Sequence, residues 1–165
     1  MNSPYSTVKE LSVGDPVPTH SFQCTDPQIT SFADLKGKNI VLYFYPKDNT
    51  PGCTTEGKDF RDLSTAFEEA NTQILGISRD SLTSHQKFCQ KLALPFPLIS
   101  DHNEALCQLF GVIIEKNMFA RLLLGIERST FLIDSQGILR HVWRKVKVKG
   151  HAQAVLDAVR LISRA

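Results

Sequence analysis

The run NIVLYFY at positions 39–45 has no polar face beyond its opening Asn39, and it is rich in residues that favour extended backbone. A strand of this kind is stable only at the middle of a sheet that is covered on both sides. It ends abruptly in PKDNTPGC, where two prolines and a glycine stop any ladder and deliver a cysteine, Cys53. That junction constrains both the fold and the chemistry.

Other segments fit around this strand. TQILGIS (72–78) and STFLID (129–134) share its character, while ILRHVWRKVKV (138–148) alternates sides and follows a hairpin-like SQG. Three or four strands are thus expected in one sheet with an antiparallel edge. Helical periodicity covers 54–71, with Phe60, Leu63 and Phe67 on one face, then 82–92, 104–110 and 150–163. SFADLKGK reads as a short helical turn closed by Gly37, and 112–125 is ambiguous between strand and loop. The pattern is an α/β fold of thioredoxin-like type, a central mixed sheet flanked by helices. With 165 residues and no repeat or long linker, one domain over 1–165 is expected.

Composition narrows the function by exclusion. Nineteen Lys and Arg against 17 Asp and Glu leave a net charge of +2, which gives no reason to expect nucleic acid as a partner. The basic stretch RHVWRKVKVKGH alternates lysine with valine, as a solvated edge strand protected by lysines would. No run reaches the roughly 20 apolar residues of a membrane span, and MNSPYSTVKELSVGDPVPTH lacks the apolar segment of an export signal. A cytoplasmic location is therefore expected. Cys24, Cys53, Cys89 and Cys107 are too widely spaced for a disulfide scaffold, and no Cys-x-x-Cys pair exists. His20, His85, His102, His141 and His151 are scattered, so neither metal nor cofactor is expected.

Thr50 suits an N-cap and Pro51 the first helical position, which puts Gly52 and Cys53 in the first turn. Unpaired amides and the positive helix end there favour a thiolate. Acidity is not enough. Lowering a thiol pKa from about 8.5 to ~6 raises the thiolate fraction roughly 30-fold, but the weaker nucleophile loses roughly 10-fold. The larger gain must come from donors aimed at whichever substrate bond breaks as the sulfur attacks. Thr50 is one candidate, with the amides of Gly52 and Cys53. Arg128 is another: if STFLID runs antiparallel to the first strand, its start lies beside Cys53. Glu56 either orients Arg128 or complements the helix dipole.

YPKDNTPGCTTE carries Pro-x-x-x-Thr-x-x-Cys as Pro46, Thr50 and Cys53, and in this it resembles the peroxiredoxins, most closely the bacterioferritin comigratory protein or PrxQ branch. The likeness continues through VGDPVPTHSF, GISRDSLTSHQKFCQKLALPFPLISD and GIERSTFLID. It implies a peroxidase acting on hydrogen peroxide and organic hydroperoxides, with Cys53 as the attacking residue and Arg128 as the active-site arginine. Many relatives resolve the sulfenic acid with a cysteine five residues later, but Lys58 stands there. Cys89 matches the alternative position and is the resolving candidate, although Phe88, Leu92 and His85 share its helix face and packing alone could explain it. Cys107, and Cys24 alternating with Phe22, are expected as core or strand-face residues. A thioredoxin or glutaredoxin-like reductant follows from the same resemblance, and a short C-terminus ending in one helix without a further cysteine-bearing tail makes a monomer the expectation. Alternatives are a one-cysteine peroxidase resolved by an external thiol, and a redox sensor or holdase on this scaffold. A Cys53 to Cys89 bridge would need backbone movement, and the weak helix formers Thr54, Thr55 and Gly57 would ease it.

Overall fold

The computed structural model describes residues 11–118 and 120–163; the opening residues of the stretch read above for an export signal lie outside it. In chain order come β1 (Gln23–Cys24), a 3-10 turn (Phe32–Leu35), β2 (Asn39–Phe44), α1 (Pro51–Asp62) and α2 (Ser64–Glu69). β3 (Thr72–Ser78), α3 (Leu82–Leu92), β4 (Leu98–Ser100) and α4 (Ala105–Leu109) follow. The chain continues through β5 (Ile113–Met118), β6 (Arg121–Ile126), β7 (Ser129–Ile133), β8 (Leu139–Trp143) and α5 (His151–Ser163).

The main sheet has the order β1-β4-β3-β2-β7-β8, so the apolar strand is central, as its lack of a polar face demands. β2 is parallel to β3 and antiparallel to β7, with Phe44 opposite Ser129. Its side chains alternate between two cores. Ile40, Leu42 and Phe44 join Phe110, Phe131 and Cys107 on one face. Val41, Tyr43 and Tyr45 join Cys53, Phe60, Phe67 and Val155 on the other. Tyr43 stacks on Phe60 of α1 with ring centroids 4.7 Å apart, which seats the cysteine-bearing helix on the sheet. Gly76 makes that possible: a Cβ there would lie 2.6 Å from Leu98 Cδ2 and 2.8 Å from Tyr43 Cζ.

Several expectations need correction. The helix read over 54–71 is two helices, broken at Leu63, where φ −102° and ψ 4° leave helical geometry. Asp62, Ser64 and Thr65 have low intrinsic helix propensity, which makes the break inexpensive. The strand read over 138–148 stops at Trp143, because Lys145 takes a left-handed φ of 49° and the chain turns. Its lysines are exposed, but they do not line an edge strand. The ambiguous 112–125 is the hairpin β5–β6, a separate two-stranded sheet. β1 and β4 are too short to carry a periodic signal. Among the described residues, no helix is long and apolar enough to cross a membrane.

Candidate active site

α1 begins as the local chemistry requires. Thr50 has extended backbone, φ −85° and ψ 153°, and its carbonyl accepts the Thr54 amide at 2.9 Å, with Pro51 first in the helix. Its hydroxyl departs from the expected capping role: it donates to the Lys47 carbonyl at 2.9 Å. The oxygen lone pairs are left to accept from a substrate O–H. Cys53 is third in the helix and only 2% exposed. Half-buried Pro46 starts the loop that delivers it.

The antiparallel pairing of β2 and β7 brings Arg128 to the same end of the sheet. Its Nη2 donates to the Cys53 sulfur at 3.4 Å and its Nη1 to Glu56 Oε1 at 2.7 Å. Gly52 keeps the approach open, since a Cβ there would meet Nη2 at 3.1 Å. The turn after Trp143 has a use here, because the Val146 amide donates to the Arg128 carbonyl at 2.9 Å and fixes that backbone.

Glu56 is 1% exposed, and its Oε2 has no hydrogen-bond partner among the described residues. Burial raises its carboxyl to about 7, against the pull of the Arg128 charge. Burial also opposes the Arg128 charge, but Glu56 and the sulfur outweigh it and raise its pKa. His151, buried against Thr130 at 2.8 Å, is lowered to about 4 by burial and then by Arg128. Its ring packs against Phe60 and Trp143, a placement that sequence reading did not anticipate.

Cys89 is half-buried on α3, 3.9 Å from Thr25 Oγ1, and burial pushes its thiol up. All four cysteines are free. Cys24 and Cys107 are buried in the opposite core, 7% and 0% exposed, and burial raises both thiols. The structure thus gathers Cys53, Thr50, Gly52, Pro46, Arg128 and Glu56 around one helix end and leaves Cys89 on a different helix. Sequence reading passed over Asp48. This 5% exposed carboxylate in the loop before Cys53 accepts from Tyr45 at 2.7 Å and from Ser84 and His85 at 2.8 Å each. Burial raises it, yet those bonds prevail and hold its pKa below the ordinary range.

A helix-borne cysteine under an arginine has relatives. Residues 13–142 match the model of the AhpC/TSA family. The chain belongs to the AhpC/TSA family. It is a peroxiredoxin, a thiol-dependent peroxidase with a thioredoxin-like fold. Peroxiredoxin Bcp of Xanthomonas campestris pv. campestris is 58% identical over 124 residues, 75% of this chain and 78% of that one. Peroxiredoxin Bcp of Bacillus subtilis is 45% identical over 153 residues, 93% and 98% of the two chains. Among solved structures, Xanthomonas campestris Peroxiredoxin Q superposes with a TM-score of 0.85 at 49% identity, covering 93% of this peroxiredoxin and 97% of that chain. A PrxQ mutant of Xylella fastidiosa gives 0.88 at 42%, covering 94% and 99%.

Proposed function

We propose that this peroxiredoxin reduces hydrogen peroxide and organic hydroperoxides at Cys53 and resolves the product with Cys89. The observation that carries the reading is the Arg128 fork, one arm on the Cys53 sulfur and the other on Glu56. The Cys53 thiolate attacks the near peroxide oxygen, the O–O bond breaks, and the leaving alkoxide or hydroxide takes a proton. Thr50 Oγ1 accepts from the substrate O–H, while Arg128 and the first-turn amides bear the charge that moves between the oxygens. Cys89 then displaces water from the sulfenic acid and forms a disulfide. Solved variants of the Xanthomonas protein each replace a cysteine, and those two cysteines are as far apart in sequence as Cys53 and Cys89, which supports the pairing. Alkyl peroxide reduction, studied for the Xanthomonas campestris protein with a trapped intermediate and ligand complex, supports the substrate class.

A thioredoxin or glutaredoxin-like dithiol closes the cycle, and a cleft of about 340 Å³ lined by Thr25, Gln86, Cys89, Leu94 and Phe96 gives it a place to approach. We take the chain as one domain, monomeric and cytoplasmic. Peroxide consumption with thioredoxin, its reductase and NADPH tests the reading. Sustained turnover is expected, lost in Cys53→Ser, with a Cys53 to Cys89 linkage seen by mass spectrometry after one equivalent of peroxide. Turnover that persists in Cys89→Ser with a small external thiol would assign the one-cysteine route instead.

A further inference from the structure

The loop that delivers Cys53 is bolted to the helix that carries Cys89. Asp48 lies in that loop, and both its carboxylate oxygens are bound: Oδ1 by Tyr45, Oδ2 by Ser84 and His85. Ser84 and His85 are in the first turn of α3, and Cys89 stands one turn beyond His85 on the same face. The His85 ring is wholly buried, and its other nitrogen, Nε2, faces the Ile99 carbonyl of β4 at 2.9 Å. A carbonyl only accepts, so this second contact ties the ring to β4 while Nδ1 meets Asp48. The Asp48 amide donates to Asp80 Oδ2 at 2.9 Å, just ahead of α3, and Lys91 reaches Asn49 Oδ1 at 3.2 Å. Sheet, loop and helix are therefore one hydrogen-bonded unit, most of it out of water.

We infer that the Asp48–His85 pair is a positioning clamp that sets how readily α3 parts from the Cys53 loop, and through that the fate of oxidised Cys53. This rests on Cys89 as the resolving residue. Two reactions compete for the sulfenic acid. Condensation with the Cys89 thiol forms the S–S bond and releases water; a second hydroperoxide adds its oxygen to give the sulfinic acid and releases the alcohol or water. The first needs the two sulfurs to meet, and they sit on separate helices. The second needs only the folded site. A tight clamp favours the second, and a loosened one favours the disulfide.

The test compares reduced wild type with Ser84→Ala and His85→Gln. Each is treated with excess hydrogen peroxide, and disulfide and sulfinate are quantified by mass spectrometry. Losing a charge-assisted bond should cut sulfinate relative to disulfide by about threefold in Ser84→Ala and about tenfold in His85→Gln. A merely structural role would lower the melting temperature and leave the ratio alone. An unchanged ratio in the variants, with wild type still forming the Cys53 to Cys89 disulfide, overturns the clamp and spares the resolution scheme. Wild type that forms no such disulfide sinks both. Should His85→Gln fail to fold, Ser84→Ala decides by the same ratio.

Discussion

At the scale of single residues, one guanidinium, that of Arg128, bridges the Cys53 sulfur and the buried Glu56 carboxyl. The folded state keeps a proton on Glu56 up to about pH 7, whereas an unfolded chain releases it near 4.5. The stability this lends is complete below pH 4.5 and is lost as pH rises through 7, a swing of roughly 3 kcal/mol. Glu56→Gln removes the titration, so its urea stability relative to wild type should climb by about that amount between pH 4.5 and 7.5. His151 works in the opposite direction: its value falls from 6.5 to about 4, so its contribution is present above 6.5 and lost as pH falls through 4. In wild type the two oppose each other between these limits, and the difference between Glu56→Gln and wild type isolates the Glu56 part. Arg128→Lys keeps the charge but cannot span both Cys53 and Glu56. Stopped-flow measurement of peroxide reduction should show a loss of about 10²-fold.

At the scale of elements, α1 is both a platform and a part that must yield. Its first turns contain Thr54, Thr55 and Gly57, which propagate a helix poorly. A Cβ on Gly57 would lie 3.4 Å from Leu92 Cδ1 and 3.7 Å from Leu94 Cδ2, contacts that α3 and the turn after it can tolerate. Gly57→Ala should therefore strengthen α1 by about 1 kcal/mol and slow disulfide formation about fivefold, read by quenched-flow alkylation. Equal rates in the two proteins would remove the idea that this helix unwinds. The sequence showed where α1 starts, because Thr50 and Pro51 mark a helix entry through local stereochemistry. It did not show the break at Leu63, because Phe60 and Phe67 keep one apolar face across it.

At the scale of the whole molecule, two packed faces decide which thiols can react. Cys107 and Cys24 lie in the core opposite Cys53, so iodoacetamide should label both only as the protein unfolds. Urea-dependent labelling followed by peptide mass spectrometry checks this. The close approach of β2, β3 and β4 depends on Gly76, and Gly76→Ala should cost about 1–3 kcal/mol in denaturant melts. Local sequence was enough to determine the central strand, the helix entry at Thr50, and the placing of Cys53 in a first turn, because these follow from short-range apolar pattern and backbone preference. The partners of that cysteine were another matter. Arg128 could be expected beside Cys53 only if β7 ran antiparallel, and Glu56 could be assigned to it or to the helix dipole. His85 looked like a packing residue, and Asp48 like part of a loop. Each owes its role to register and burial, which bring together residues 72 and 37 positions apart and remove them from water. Only the folded chain sets those distances, since no local preference records which charge will be desolvated beside which.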